Sequence, residues 1–341
     1  MRKLRTAIIG FGKMGKIRYR AMLKHTGYEI VGLCDIHAEN LAGYQEPVFS
    51  DWRSCLEYCR PEAVVVCTFN NMIPQIVCYA LSRKIHVFSE KPPGRCLEDV
   101  MQMKTVWEQH TGLKLKFGFN HRYHNSVMEA KALIDSKMLG EAVCARGVYG
   151  KAGSAEFARE WRNDIGLSGG GILIDQGIHM IDLLCYLIGD FTKIQSSSSQ
   201  LVWKELHTED SVFAIMETDK GQMASLHSSA IQWKHKFDLD IICTNGYIAL
   251  NGIRTSTKSY GEECISYYRK DLHAKNGNLG EPIEHTFCFD TDESWDYEMR
   301  EFYDCVVNDE KVRNGSIGDA YRVMDIIAKI YSDQADGEEK K

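Results

Sequence analysis

Three side chains able to hold or move a proton, Asp175, His179 and Asp182, interrupt the otherwise apolar stretch GGGILIDQGIHMID at 169–182. Positions four or seven apart on an α-helix lie within about 40° of one another, so the spacing predicts one polar stripe near the start of a largely buried helix. LLCYLIG continues the apolar pattern to Gly189, a natural stop. Buried charge is costly unless it is paired or used. An imidazole with an unperturbed pKa near ~6.5 suits proton acceptance at neutral pH, and a carboxylate one turn earlier can orient the ring and stabilise its charged form. Read alone, His179 is equally a core histidine with its hydrogen bonds satisfied. Asp182 reads as a structural hydrogen-bond partner. A metal held by Asp175, His179 and Asp182 is a less economical reading than acid–base work, because no second histidine stands nearby in sequence. His121 and His124 lie on another segment and help only if the fold brings them close.

A second candidate is HVFSEKPPG, which puts Glu90, Lys91 and two of the chain's six prolines at the carboxyl end of a strand, where open α/β sheets bind ligands. The prolines fix the backbone around the lysine. The alternative is a solvated loop lysine paired with Glu90.

Gly10, Gly12 and Gly15 form GxGxxG after the strand RTAII and before a helix, and Asp35 ends the next apolar run twenty residues beyond Gly15. Each part has a task on a dinucleotide: a tight turn, backbone approach to pyrophosphate, close helix packing, and an acceptor for a ribose hydroxyl. GxxxxGK also runs from Gly10 to Lys16, but Ile17 follows and offers no hydroxyl to Mg²⁺, so the phosphate loop of kinases is excluded. Asp35 would repel a 2′-phosphate and no arginine follows closely, which favours NAD over NADP. GLSGG at 166–170 satisfies GxSxG, but a hydrolase elbow needs an apolar strand before its serine and REWRNDI precedes Ser168 instead.

The elements that must position these residues follow from periodicity. From 5 to 119, β-rich runs (RTAIIG, EIVGLCD, AVVVCT, HVFS, LKFGF) alternate with helical patterns near 13–25, 74–83 and 97–111, with a polar segment after EIVGLCD. That alternation signals βαβ units and a parallel sheet, a Rossmann domain over 1–120. After Asn120 come a helix near 126–136, VCARGVYG, a polar loop, the Asp175 helix, then strands in succession (QMASLHSSAIQW, LDIICT, YIAL, CISYYR) and helices near 294–308 and 318–332. This predicts an α/β domain with an open, mostly antiparallel sheet over 121–341. The tail DQADGEEKK reads as frayed.

Net charge is −6, from 41 basic and 47 acidic residues well mixed, so there is no basic stripe for nucleic acid or an anionic membrane. The twelve cysteines are scattered without a CxxC pair, which reads as buried thiols in a reducing cytosol, with zinc disfavoured. The basic head MRKLRTAIIGFGKMGK is too interrupted for a signal peptide, and no later run is long enough to span a membrane. The expectation is a cytoplasmic protein binding a small molecule.

Taken together, GFGKMG, TFNN, EKPP, FNHRYHNS and GGGILIDQGIHMID resemble the Gfo/Idh/MocA oxidoreductases over nearly the whole chain. The resemblance implies a Rossmann domain followed by an open-sheet domain often used for oligomer contacts, hence a homodimer or homotetramer. It also implies reversible oxidation, with NAD, of a carbinol on a sugar, sugar derivative or cyclitol. By resemblance, Lys91 contacts the reacting oxygen and, with Asp175 and His179, is catalytic. Gly10, Phe11, Gly12, Lys13, Met14, Gly15, Asp35, Thr68, Asn70, Glu90, Lys91 and Asn120 would hold the cofactor. Lys91, Arg122, Trp161, Arg162, Asp175 and His179 would meet the substrate. The sequence departs from the common pattern at Phe69 and Ile73, where many members carry proline and histidine. Two other readings stay open: a regulator that binds the dinucleotide without catalysis, and a redox-neutral glycosidase. Specificity would lie in YGKAGSAEFAREWRND and KNGNLGEPIEH, while Arg122, Arg159 and Arg162 are either phosphate ligands or surface charges.

Overall fold

The computed structural model describes residues 2–154, 156–255, 257–270 and 283–338. The chain folds into two compact units. The first comprises Met1–Asn120, Gly166–Gly169 and Glu293–Met324. Its elements are β1 (Leu4–Ile9), α1 (Lys13–Lys24), β2 (Tyr28–Cys34), β3 (Val48–Phe49), α2 (Trp52–Cys59), β4 (Ala63–Val66), α3 (Ile73–Ser82), β5 (His86–Glu90), α4 (Leu97–Glu108) and β6 (Leu115–Gly118). Strands β1, β4, β5 and β6 are largely buried on both faces, as central strands of a parallel sheet are, while the short edge strand β3 is not. They pair in parallel in the order β3-β2-β1-β4-β5-β6, the dinucleotide-binding order whose switch point lies between β1 and β4.

The polar segment after β2 contains an element the sequence pattern concealed. In α2, Asp51 caps the helix by accepting from the Ser54 amide at 2.9 Å, and only Cys55, Leu56 and Cys59 turn inward. Eight residues give too few periods for amphipathicity to show.

The remaining elements are α5 (Asn125–Asp135), β7 (Ala142–Gly150), a single turn α6 (Ile165–Ser168), a π-helical turn over Leu173–Gly177, α7 (Ile178–Leu187), β8 (Phe191–Ser199), β9 (Ser211–Thr218), β10 (Met223–Ser229), β11 (Lys236–Cys243), β12 (Gly246–Asn251), β13 (Glu263–Arg269), β14 (His285–Phe289), α8 (Ser294–Val307) and α9 (Ile317–Glu338). Helix α8 belongs to the first unit: Met299, Phe302 and Tyr303 pack into the core of Leu4, Ile8, Met22 and Phe88, and the Tyr28 hydroxyl donates to the Met299 carbonyl at 2.7 Å. The first unit is therefore assembled from both ends of the sequence.

The second unit, His121–Ile165, Gly170–Asp292 and Asp325–Lys341, is built on one eight-stranded sheet of order β14-β13-β12-β11-β7-β10-β9-β8. All its pairs are antiparallel except β7 with β10. Its strands alternate: Val212, Ala214 and Met216 of β9 are buried, while Phe213 and Ile215 are more than half exposed. One face thus packs under α5 and α7 and the other lies open. Helix α7 is apolar almost all round and correspondingly buried.

The expectation of buried thiols throughout needs correction. Cys264 and Cys288 face each other across β13 and β14 and are joined by a disulfide, and Cys144 is exposed on β7. A separation of 24 residues gives no cue until the strands are paired. Residues 275–282 of the loop KNGNLGEPIEH and 339–341 of the tail lie outside the described residues. Among the described residues no helix is long and apolar enough to cross a membrane.

Candidate active site

In the first unit the motif residues gather at the carboxyl ends of the strands. Gly10 adopts φ +86°, and a Cβ there would lie 2.5 Å from the Cys67 carbonyl oxygen at the end of β4. A Cβ on Gly15 would lie 2.2 Å from the Gly10 carbonyl oxygen, so α1 approaches the loop as closely as it does only because both are glycine. At Gly12, the N-cap of α1, an added Cβ would meet nothing within 4 Å. The loop is packed where the protein backs it and open where α1 begins, which is the form of a phosphate cradle at a helix N-terminus.

Asp35 follows β2 and is nearly buried. Its Oδ2 accepts from the Phe11 amide at 2.7 Å and its Oδ1 from the His37 amide at 2.9 Å. The carboxylate therefore fastens the glycine loop, and since each oxygen carries two lone pairs it keeps acceptor capacity for a hydroxyl. The Phe11 ring is buried edge-on between Tyr19 and Tyr44, which leaves its backbone as the part that faces the loop. Lys13 is exposed and Met14 half-buried. Thr68 is half-buried after β4, and Asn70 is buried, donating from Nδ2 to the Ser168 carbonyl at 2.8 Å. Asn120 is likewise buried and donates to Ser294 Oγ at 3.2 Å. Ser168 sits buried in the turn α6 with no strand before it, which is not a nucleophile elbow.

Lys91 follows β5, half-buried, and is joined to Pro92 by a cis peptide bond. Glu90 accepts from Arg18 Nε at 2.5 Å, while Arg18 Nη2 lies 2.7 Å from Glu298 of α8. Arg18 is fully buried, with Phe88 and Trp295 rings 4.4 and 4.6 Å from its guanidinium carbon. Burial pushes the Glu298 carboxyl up to about 7 against the pull of Arg18. Lys116, also fully buried, bonds the Asn314 carbonyl and lies 3.4 Å from Glu301. A charged network thus anchors the strand end that presents Lys91. The sequence carried one signal for it: Arg18 shares the inward stripe of α1 with Gly15 and Met22, where an apolar residue is expected.

In the second unit, the opening glycines let the chain close on its neighbours. A Cβ on Gly171 would lie 2.3 Å from the Glu209 carbonyl oxygen. The buried Glu209 carboxylate accepts from the Gly171 and Leu173 amides at 3.0 and 2.9 Å and from the Tyr331 hydroxyl at 3.0 Å, an acid placed at a helix start. The segment that follows departs from the expected regular helix: Leu173–Gly177 is π-helical, and α7 begins at Ile178. Such wider turns recur at functional sites. The three polar residues have different surroundings. Asp175 is bound by Lys151 Nζ on Oδ2 at 2.9 Å and faces Arg162 Nε from Oδ1 at 3.3 Å. Asp182 is fully buried and takes two hydrogen bonds from Arg122, at 2.9 and 2.6 Å, with the guanidinium over the Tyr186 ring. Arg122, expected to meet substrate, holds Asp182 through Nε and Nη2. Arg162 lies over Trp161, 4.8 Å from the ring centroid, and Arg159 is an exposed partner of Glu156.

His179 is buried, and His121 lies stacked on it, with ring centroids 3.7 Å apart and planes 15° from parallel. His121 Nε2 is 3.0 Å from the Tyr149 hydroxyl, and the Tyr260 hydroxyl donates to Gln176 Oε1 at 3.2 Å. Burial holds the Tyr149 phenol far above its usual range. His124 Nδ1 pairs with Glu263 at 2.8 Å; burial alone would raise that carboxyl, but His124 and the Ser126 and Arg254 amides bring it below the usual value. Tyr149 and Lys151 open the stretch YGKAGSAEFAREWRND, read above as a seat of specificity without individual roles, and Tyr260 belongs to none of the sequence motifs. Among the described residues, the one grouping of metal-type ligands is Glu262 with the disulfide-bonded Cys264 and Cys288.

A parallel sheet of this order with an open glycine cradle, followed by a mostly antiparallel sheet carrying buried acid–base groups, defines an NAD-binding oxidoreductase of two parts. The chain belongs to the Gfo/Idh/MocA family: residues 4–119 match its oxidoreductase, NAD-binding Rossmann-fold domain, and residues 127–249 match its C-terminal domain. It is 29% identical over 251 residues to the D-glucoside 3-dehydrogenase of Escherichia coli strain K12, covering 66% of this chain and 70% of that one. It is 22% identical over 333 residues to the inositol 2-dehydrogenase/D-chiro-inositol 3-dehydrogenase of Shouchella clausii strain KSM-K16, covering 93% and 88%. A levoglucosan dehydrogenase solved in complex with NADH shares the fold, with a TM-score of 0.84 at 21% identity over 98% of each chain.

Proposed function

We propose that the protein is an NAD-dependent dehydrogenase or reductase acting on a carbinol of a sugar, sugar derivative or cyclitol, with Lys91 and His179 handling the oxygen and its proton. The observation that carries this reading is the environment of His179: a buried imidazole and a carboxylate held by two cations, on consecutive helical turns, in a chain whose other unit is an open phosphate cradle. The named activities of the relatives, on a D-glucoside and on inositols, support a polyhydroxylated ring as substrate.

The loop Gly10-Phe11-Gly12-Lys13-Met14-Gly15 would hold the pyrophosphate by its amides and the start of α1. Asp35, already polarised by two amides, would accept from a ribose hydroxyl and repel a 2′-phosphate, which favours NAD. Thr68, Asn70, Glu90, Lys91 and Asn120 would serve the nicotinamide end. When bound, the nicotinamide supplies the hydride acceptor or donor. The Lys91 ammonium then stabilises the negative charge developing on the carbinol oxygen, as a preorganised cation does for an oxyanion. His179 takes the hydroxyl proton, and Asp175 balances the charge that the imidazole gains. Trp161 and Arg162 would complete the substrate wall, with Lys151 holding Asp175 in place.

We further assign the open face of the eight-stranded sheet, where Phe213, Ile215 and Met223 are about half exposed, to a homodimer or homotetramer. Sedimentation of the purified protein tests that assignment.

The experiment for the activity is a screen of sugars, sugar phosphates, nucleotide sugars and cyclitols with NAD, following absorbance of the reduced nicotinamide at several pH values. A positive substrate should fail with His179→Ala. Cleavage of a glycoside without net NADH would instead support the redox-neutral reading.

A further inference from the structure

His121 stands outside every role assigned so far, yet its ring lies flat against the face of His179. The two rings are parallel within 15° at 3.7 Å, and each residue is 5% exposed. His121 Nε2 lies 3.0 Å from the Tyr149 hydroxyl, whose oxygen has lone pairs to accept from that nitrogen when it carries a proton. A donor bond from Nε2 is compatible with the neutral ring and is strengthened when the ring is charged.

The other charged groups around the two rings are largely compensated. Arg122 and Asp182 of α7 form one buried pair, and His124 forms another with Glu263 of β13. From the π-helical turn, Asp175 faces Lys151 of the segment after β7 and Arg162. His235 lies edge-on to Tyr260, and burial, with Lys151 as the lesser cause, biases it toward the neutral form. Burial holds the Tyr149 and Tyr260 phenols above their usual range, so both stay protonated. Two imidazolium rings stacked in such an interior would repel each other strongly, so the pair takes up its protons one at a time.

We propose that His121 is a positioning residue for His179: anchored on the Tyr149 hydroxyl, it fixes the plane of the His179 ring and takes the first proton of the pair, keeping His179 neutral and able to accept a proton from substrate. This rests on the assignment of His179 as the base, but the coupling of the two rings is measurable without turnover.

The test is a ¹⁵N-histidine NMR titration of the intact protein, run beside the pH dependence of turnover. In the wild type, His121 should titrate first as pH falls and His179 at a distinctly lower pH. In His121→Gln, which keeps a polar side chain for Tyr149 but no titrating ring, the His179 midpoint should rise by at least about one pH unit, and the acid limb of the rate profile should move with it. Tyr149→Phe, which leaves the stack intact, serves if His121→Gln fails to fold; loss of the hydroxyl that accepts from charged His121 should lower the His121 midpoint and narrow the gap between the two rings. A His179 midpoint in His121→Gln within about 0.3 unit of wild type overturns the proposal, as does an unchanged gap in Tyr149→Phe. A merely structural role would lower turnover at every pH without moving either midpoint. If the midpoint moves while turnover survives His179→Ala, the coupling stands and the assignment of the base fails.

Discussion

The glycine cradle of the first unit and the histidine cluster of the second present functional groups in opposite ways. In the cradle the working atoms are backbone amides at strand ends, set by a run of six residues from Gly10 to Gly15 and by Asp35 after the neighbouring strand. In the cluster they are side chains from Asn120's successor His121, from β7, the segments around Lys151 and Arg162, the π-helical turn, α7 and the loop carrying Tyr260. A backbone site tolerates side-chain replacement wherever no Cβ collides, whereas a side-chain site depends on each member. The comparison teaches that binding and chemistry should respond to mutation separately.

The sharpest separation comes from Lys91→Met, which removes the cation expected at the reacting oxygen. Turnover should fall by about 10²–10⁴-fold while NADH affinity, followed by fluorescence titration, changes by only a few-fold. Arg18→Met probes the first unit's scaffold instead. It leaves Glu90 and Glu298 buried without their cation, and loss of one member of a buried ion pair typically costs about 3–5 kcal/mol, read as a lower denaturant midpoint. The same network carries a pH signature. Folded Glu298 keeps its proton to about 7, against 4.5 ordinarily, so the folded state binds the extra proton between those values and stability declines as pH rises through that window. Glu298→Gln should remove that share of the decline in unfolding measured at successive pH values.

Asp35→Ala is a test of the cradle itself. Removal of a charged acceptor for the Phe11 amide and the ribose should weaken NAD by about tenfold and NADP by less, which narrows the preference for NAD; a wild type that binds NADP as well as NAD removes this reading of Asp35. The smallest effect belongs to Ser168→Ala. Its carbonyl, not its hydroxyl, is the acceptor for Asn70, so turnover should stay within a few-fold of wild type, and abolished turnover with intact NAD binding would restore the hydrolase reading.

The same contrast explains what could be read in the sequence. The order of strands and helices in the first unit follows from period and from one local motif, and the cradle occupies the positions that GxGxxG and Asp35 mark. Helix α2 escaped because its eight residues show only three inward positions. In the second unit, spacing on a regular helix put Asp175, His179 and Asp182 on one face, but it could not show their partners: Arg122 for Asp182, Lys151 and Arg162 for Asp175, and the His121 ring for His179. Nothing in FNHRYHNS announces that its first histidine will meet a residue 58 positions later, since that contact is fixed by the packing of α5 and α7 on the sheet. The Cys264–Cys288 pairing was hidden for the same reason, as strand register created it.

The central claim is that His179 takes the substrate's proton while the cofactor is held elsewhere on the chain. The direct measurement is turnover against pH for wild type and His179→Ala on a substrate found in the screen, with NADH affinity determined on the same preparations. The variant should bind NADH within about two- to threefold of wild type, lose about 10²–10⁴-fold in turnover, and lose the acid limb of the pH profile. Turnover within a few-fold of wild type, with that limb intact, would contradict the assignment of His179 as the base.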